Sequence, residues 1–265
     1  MSAPAPPDPG PWRTPAQRFD LTGKVAIVTG GSRGLGRSMV QAFAAAGADL
    51  VITSRKLDAC EALAADVTAA TGRRALALAC NVSNWDELDG LVDGAYGAFG
   101  RVDVLVNNAG MSLLYGDPTE VTEALWDKVV DLNMKAVFRL SALVGSRMVA
   151  GGGGGSILNI SSVGSIRPNS SILPYAAAKA GLNSLTVGLA QTYGPTVRVN
   201  CLMAGPFLTD VARAWTMEAF TLGAKRFALQ RGGQPDEVVG AALYFASDAS
   251  SFTTGAVLRV DGGIP

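Results

Sequence analysis

The first structural signal in the chain is the stretch Val25-Ala26-Ile27-Val28-Thr29-Gly30-Gly31-Ser32-Arg33-Gly34-Leu35-Gly36, an apolar run that leads into a glycine-rich turn. The run predicts a buried strand, and the residues from Leu35 to Ala46 have helical periodicity that stops at Gly47. Glycines let the backbone turn tightly, and they let the N–H groups of a helix N-terminus approach a phosphate. The stretch therefore predicts a strand–turn–helix unit with an anion site at the turn.

Similar units recur along the whole chain. Apolar runs predict further strands at Leu50–Thr53, Ala75–Cys80, Val104–Val106, Ile157–Ile160, Val197–Leu202 and Val257–Val260. Helical periodicity predicts further helices at Leu57–Ala70, Trp85–Phe99, Val121–Val149, Tyr175–Tyr193 and Asp236–Phe245. This alternation indicates a parallel sheet covered on both faces. We expect an α/β fold with a single Rossmann-like, doubly wound parallel β-sheet of about seven strands and helices on both faces.

The 265 residues are expected to form one domain, because the strand and helix signals continue from Val25 to Val260 without a linker. The proline-rich residues 1–19 are predicted to be a disordered or loosely docked tail before a domain that spans residues 20–265. The glycine run Gly151–Gly155 is interpreted as a surface loop. The stretch Phe207–Phe227 has weak periodicity and is a candidate lid.

Composition excludes several classes of function. Lysine plus arginine and aspartate plus glutamate both number 22, so the formal charge is zero and nothing favours nucleic acid or an anionic membrane as a partner. The three cysteines, Cys60, Cys80 and Cys201, lie in apolar segments and are interpreted as reduced core thiols, which predicts a cytoplasmic protein. The chain has no histidine, which excludes histidine-dependent catalytic triads and histidine-ligated zinc. We expect no metal site.

Tyr175 and Lys179 are four residues apart on a predicted helix, so they share one face. A phenol normally titrates near about 10, and an adjacent cation lowers that pKa. The spacing therefore predicts that Lys179 lowers the pKa of Tyr175 and makes the phenol a proton donor or acceptor for a carbonyl or alcohol oxygen.

Several motifs occur in order along the chain and together resemble the short-chain dehydrogenase/reductase family from Leu21 to Gly263. They are Gly30, Gly34 and Gly36 in the turn, Asn107-Asn108-Ala109-Gly110, Asn133, Ser162, the pair Tyr175 and Lys179, and Val260-Asp261-Gly262-Gly263. Each motif is weak alone, and their conjunction at family spacing is specific. The resemblance implies that residues 20–265 are a dinucleotide-binding catalytic domain and that the protein is a homotetramer.

The resemblance also implies the roles of the catalytic residues. Tyr175 exchanges a proton with the substrate oxygen, Ser162 polarises that oxygen, and Lys179 tunes Tyr175 and binds the nicotinamide ribose. Asn133 holds a water on the proton path, and Ser161 is the nearer rival to Ser162. The implied function is hydride transfer between NADP(H) and a small ketone or secondary alcohol. The alternative is a catalytically silent NADP(H)-sensing or scaffold protein.

Cofactor choice depends on the residues after the second strand, Ser54-Arg55-Lys56, where no carboxylate is present to accept from a free 2′-hydroxyl. Arg55 and Arg33 can clamp a 2′-phosphate, which favours NADP(H) over NAD(H). The alternative is that Arg55 and Lys56 form a solvated turn. The expected cofactor contacts are Gly30, Ser32, Arg33, Gly34, Leu35, Gly36, Ser54, Arg55, Asn81, Val82, Asn108, Ala109, Gly110, Tyr175, Lys179, Gly205, Phe207 and Thr209.

The sequence defines the substrate pocket less well than the cofactor site. Ala204-Gly205 stands where the family commonly has Pro-Gly, with the proline displaced to Pro206, which could reshape the pocket roof. The substrate contacts are expected among Met111, Leu113, Tyr115, Arg167, Asn169, Ile172, Phe207, Trp215 and Phe227. Their mostly apolar character predicts a modest ketone or secondary alcohol, and Arg167 leaves an acidic or polyhydroxylated substrate open.

Overall fold

The computed structural model describes residues 13–210 and 216–265 of the chain. A single sheet of seven parallel strands lies at its centre, in the order β3-β2-β1-β4-β5-β6-β7. The strands are β1 Val25–Thr29, β2 Asp49–Ser54, β3 Ala75–Ala79, β4 Val104–Asn107, β5 Gly155–Ser162, β6 Val197–Ala204 and β7 Val257–Val260. This sheet confirms the predicted doubly wound α/β fold.

Helices cover both faces of the sheet. Their bounds are α1 Pro15–Arg18, α2 Gly34–Ala45, α3 Leu57–Thr71, α4 Glu87–Phe99, α5 Glu123–Val130, α6 Ala136–Ala150, α7 Leu173–Tyr193, α8 Met217–Ala224 and α9 Val239–Ala246. One hydrophobic core lies between the sheet and α2, α3 and α9, and includes Phe43, Leu63 and Phe245. A second core lies under α4, α6 and α7 and includes Leu91 and Leu140. Every residue of β1 is buried because both faces of the strand are covered.

One difference from the predicted elements is a change of hydrogen-bond register within a helix. The helical stretch predicted at Val121–Val149 consists of α5 and α6, joined by a π-helical turn at Asp131–Lys135.

Two predicted loop segments contain regular structure. The stretch Phe207–Phe227, expected to be loose, contains the helix α8. Residues 211–215 of that stretch lie outside the described residues. The last glycine of the five-glycine run, Gly155, is the first residue of β5.

The beginning of the described chain packs near α9. Thr14 and Gln17 form a capping box around α1, and Arg13 forms an ion pair with Asp248 at 2.8 Å. Residues 1–12 of the predicted tail lie outside the described residues, so the domain boundary after residue 19 stays a prediction.

The structure places the three cysteines and gives the length and polarity of the helices. Cys60, Cys80 and Cys201 are free and buried, as the apolar segments around them predict. Within residues 13–210 and 216–265, every helix is too short or too polar to cross a membrane.

Candidate active site

Ser162 and Tyr175 meet at the carboxyl end of β5. Ser162 is the last residue of this strand, and its hydroxyl lies beside the phenol of Tyr175 on α7, close enough to lower the pKa of that phenol. The same Oγ accepts a hydrogen bond from the Gly164 amide at 3.1 Å, which fixes its direction. The strand end and the first turn of α7 therefore hold a hydroxyl and a phenol against each other.

Ser161 lies on the opposite side of the strand, because side chains alternate along β5. It is buried, and its Oγ donates to the backbone carbonyl of Lys179 at 3.2 Å. Of the two neighbouring serines, the structure brings only Ser162 to Tyr175.

Lys179 extends beneath the phenol from one helical turn further along α7. Its Nζ lies 5.7 Å from the centroid of the Tyr175 ring and donates to the carbonyl of Ile160 at 2.8 Å. Burial lowers the pKa of Lys179 to about 8. The ammonium therefore stays mainly charged at neutral pH and loses its proton in mildly alkaline solution.

The pKa of Tyr175 differs from the sequence expectation. Burial raises it above the ordinary value for a phenol, and the hydrogen bond with Ser162 lowers it by a smaller amount. The expected lowering by Lys179 was wrong, because the loss of hydration around the buried phenolate outweighs the favourable contacts. Tyr175 is accordingly a protonated phenol at neutral pH, which is the form that donates a proton.

Asn133 enters the site from the π-helical turn between α5 and α6. Its Nδ2 donates to the carbonyls of Met111 at 2.8 Å and Val129 at 2.9 Å, and its Oδ1 has no partner among the described residues. A Cβ built at Gly110 would lie 2.8 Å from this Oδ1 and 3.6 Å from Lys179 Nζ. The glycine thus leaves space beside both polar groups, and the orphaned acceptor is suited to an ordered water.

The glycine turn after β1 forms a cradle that any Cβ would fill. A Cβ at Gly36 would collide with the Gly30 carbonyl oxygen and lie 2.6 Å from Asn108 Nδ2, and Gly30 has a positive φ of 62°. Asn108 Nδ2 donates to the carbonyls of Thr29 and Gly30, so its side chain shapes the turn itself. This cradle at the N-terminus of α2 suits the pyrophosphate of a dinucleotide.

Thr29 joins this turn to the one after β4, and sequence reasoning missed it. Its Oγ1 accepts from the amides of Asn108 and Ala109, both at 3.0 Å, and donates to the Val106 carbonyl at 3.2 Å. The only sequence signal was a polar residue at the end of an otherwise apolar strand.

The residues predicted to contact the adenosine end follow the first three strands: Arg33 is the N-cap residue of α2, after β1, and the others lie at the carboxyl ends of β2 and β3. The guanidinium groups of Arg33 and Arg55 are exposed and make no hydrogen bond or ion pair to the part of the chain that the structure describes. Ser54 Oγ is held in its own turn by Lys56 and Cys60. The backbone N–H of Asn81 donates to the Glu87 carboxylate at 2.7 Å, and Val82, the next residue, is buried.

The segment after β6 lies between the end of β7 and the glycine turn. Gly205 permits a close approach to β7, since a Cβ there would lie 2.5 Å from Asp261 Cα. Phe207 is buried, with its ring against Gly233. The methyl group of Thr209 lies 3.4 Å from a Cβ built at Gly34, so Thr209 is next to the glycine turn.

Comparisons with known proteins agree with this geometry. The family model described as Enoyl-(Acyl carrier protein) reductase matches residues 30–265. A short chain dehydrogenase/reductase of Aspergillus oryzae is 37% identical over 254 residues, which cover 94% of this chain and 97% of that protein. This chain belongs to the short-chain dehydrogenase/reductase family.

Other relatives in the short-chain dehydrogenase/reductase family carry different names. An NAD-dependent glycerol dehydrogenase of Listeria innocua is 33% identical, over 92% of this chain and 95% of that protein. The solved NADPH-dependent 3-quinuclidinone reductase of Rhodotorula rubra has a TM-score of 0.89 and 27% identity, covering 97% of each chain. Family membership identifies an oxidoreductase that uses NAD(P)(H), and the names differ in cofactor and substrate.

Several of the residues expected to contact substrate make contacts within the protein. Arg167 Nε donates to the Pro265 carbonyl at 2.9 Å, and Asn169 Oδ1 accepts from the Ser171 amide. Phe227 packs edge-on against Phe220, with the ring centroids 6.5 Å apart. Ile172 lies nearer the reacting groups, since its Cδ1 and Tyr175 Cε1 are 3.5 and 3.9 Å from a Cβ built at Gly164. Trp215 lies outside the described residues.

Proposed function

We propose that this protein is an NADP(H)-dependent carbonyl reductase or alcohol dehydrogenase that acts on small ketones and secondary alcohols. The observation that carries the proposal is the Ser162 hydroxyl beside the Tyr175 phenol, with the Lys179 ammonium beneath the phenol ring. Two hydroxyl groups beside a buried cation suit the stabilisation and protonation of a carbonyl oxygen.

In reduction, the protonated phenol of Tyr175 donates its proton to the carbonyl oxygen, and the hydroxyl of Ser162 donates a hydrogen bond to the same oxygen. Lys179 stabilises the phenolate that remains, because its positive charge lies close to the ring in a buried site. A water held by Asn133 Oδ1 returns the proton through Lys179. When bound, NADP(H) supplies the hydride in reduction and accepts it in oxidation.

Two arginines without partners among the described residues, one after β1 and one after β2, support the choice of NADP(H) over NAD(H). Arg33 and Arg55 are exposed and unengaged within the described residues, so both are available to a 2′-phosphate. The residues directly after β2, Arg55 and Lys56, include no carboxylate to accept from a free 2′-hydroxyl. The glycine cradle, Asn81, Gly205, Phe207 and Thr209 would hold the rest of the dinucleotide.

We also propose a symmetric homotetramer in the cytoplasm. The outer face of α7 is lined by exposed, mostly small residues, namely Ala177, Ala180, Ser184, Val187 and Gly188. The nearby helices α5 and α6 expose Trp126 and Phe138, and the edge strand β7 exposes Val257 and Leu258. Two such surfaces support closed twofold association. Light scattering at micromolar concentration should give four times the chain mass, and a monomer mass would refute the assembly alone.

The function is tested by screening ketones with NADPH, and secondary alcohols with NADP⁺, while absorbance of the reduced nicotinamide is followed. Turnover that is lost in Tyr175→Phe, with NADPH still bound, supports the proposed chemistry. NADPH binding without turnover of any carbonyl would favour the silent sensing or scaffold protein. Full turnover in a folded Tyr175→Phe protein would refute the assigned site.

A further inference from the structure

The helix that carries Tyr175 and Lys179 has no cap from its own sequence. Ile172 occupies the N-cap position and provides no side-chain hydrogen bond, and Pro174 in the first turn has no N–H to offer. The amide of Leu173 is therefore a helix-end donor that must find an acceptor elsewhere.

Tyr115 supplies that acceptor from a distant part of the sequence. Its phenol oxygen accepts from the Leu173 amide at 2.8 Å, across 58 residues of chain. Tyr115 belongs to the loop of residues 111–116, which follows β4 and leads away from Gly110. The hydroxyl thus joins this loop to the helix end two residues before Tyr175.

The loop is held by hydrogen bonds at three points. At its start, the Met111 carbonyl accepts from Asn133 Nδ2; near its end, Tyr115 binds Leu173 and the Gly116 backbone amide donates to Glu120 at 3.0 Å. Within residues 13–210 and 216–265, residues 112–115 make no other hydrogen bond to the rest of the fold. Without the Tyr115 hydroxyl, the loop would keep its attachments to Asn133 and Glu120 and lose its hydrogen bond to the start of α7.

The helix is held far more firmly than the loop. It has 21 residues, packs against β5 and β6, and is fixed near Tyr175 by Ser162 and near Lys179 by Ser161 and Ile160. If the Tyr115–Leu173 bond is removed, the loop should move and the catalytic side chains should stay in place.

We propose that Tyr115 is a positioning residue that holds the loop of residues 111–116 against the start of α7 and thereby sets the affinity for the carbonyl substrate. The kinetic part of this inference rests on the proposed reductase function. The loop attachment itself is independent of any reaction.

The test uses Tyr115→Phe, which removes only the hydroxyl, and Tyr193→Phe as the matched control. Tyr193 lies at the other end of α7, and its hydroxyl donates to the Ala142 carbonyl at 3.3 Å, away from the site. Amide hydrogen exchange is measured on the full chain without cofactor, followed by KM, kcat and the NADPH dissociation constant.

We expect faster exchange at Leu173 and in residues 111–116 of Tyr115→Phe, and at neither place in Tyr193→Phe. KM for the carbonyl substrate should rise about fivefold, the size expected for one lost hydrogen bond, with kcat and NADPH affinity unchanged. Unchanged exchange would overturn the proposal, as would a joint loss of kcat and NADPH affinity, because the helix would then be what moves. If the wild type reduces no carbonyl, the reductase function fails, and exchange alone decides whether Tyr115 holds the loop.

Discussion

Lys179 and Tyr175 are stacked one helical turn apart at the end of β5, with the ammonium nitrogen 5.7 Å from the centre of the phenol ring; Lys179 is buried and Tyr175 is half-buried. Burial acts on the two groups in opposite directions along the pH scale. It raises the pKa of the phenol and lowers that of the ammonium, so both favour their uncharged forms.

The first prediction is that reductive turnover declines as the pH rises through about 8. The lowered pKa of Lys179 means that the ammonium is charged below about pH 8 and neutral above it, whereas Tyr175 is still protonated there. Loss of this charge removes the stabilisation of the tyrosinate that forms when the proton is donated. The pH dependence of kcat measures this decline.

Lys179→Arg is the comparison for that measurement, because a guanidinium stays charged throughout this range. Whatever its absolute rate, the variant should lack the decline near pH 8. A decline at the same pH in both proteins would assign it to another group.

The second prediction separates two neighbouring serines. Ser162→Ala should lower kcat by about a hundredfold or more, because a hydrogen bond to the developing negative charge is lost. Ser161→Ala removes a buried hydrogen bond to the Lys179 carbonyl, so it should cost about 1 kcal/mol of unfolding free energy and retain most of the activity. Steady-state rates and urea denaturation of both variants give the comparison. The reverse order of activity loss would transfer the catalytic role to Ser161.

The third prediction concerns cofactor choice. Arg55→Asp should weaken NADPH binding at least about tenfold, because attraction to the 2′-phosphate becomes repulsion, and should change NADH binding little. Arg18→Asp makes the same charge change on α1 and should affect neither cofactor. Fluorescence titration with both nucleotides measures the effect. Equal losses for NADPH and NADH would place Arg55 outside the phosphate site.

The fourth prediction tests the glycine cradle. Gly36→Ala places a methyl group against the Gly30 carbonyl and Asn108, so it should reduce both nucleotide affinity and the melting temperature. Gly97→Ala on α4 is the matched control, since a Cβ there meets nothing within 4 Å and alanine favours a helix by about 0.5–1 kcal/mol. Unimpaired nucleotide binding by Gly36→Ala would contradict the close approach at this turn.

Most of the fold was predictable because its signals are local. The strand Val25–Val28 is a continuous apolar run, as a strand covered on both faces requires, and α2 has clear helical periodicity. The π-helical turn at Asp131–Lys135 was not predicted, because one changed hydrogen bond leaves the apolar pattern almost intact. The helix α8 was not predicted, because the stretch Phe207–Phe227 that contains it has weak helical periodicity.

The candidate site was predictable in its residue types and less so in its energetics. The spacing of Tyr175 and Lys179 predicted their shared helix face, and burial depth, which no spacing encodes, reversed the expected pKa of Tyr175. The contacts of Thr29 and Tyr115 join segments 58 to 80 residues apart along the chain. Such pairs depend on which strands become neighbours, so a local reading of the sequence does not reveal them.

The Thr29 hydroxyl also determines when the glycine turn takes its final shape during synthesis of the chain. It accepts hydrogen bonds from the backbone amides of Asn108 and Ala109, which lie 79 and 80 residues downstream, just after the strand that pairs with β1. A nascent chain that ends before β4 carries the complete glycine motif, but it lacks the partner that shapes the turn. The turn therefore takes its final shape only after residue 109 of the 265 has left the ribosome, and we expect no nucleotide binding before that point.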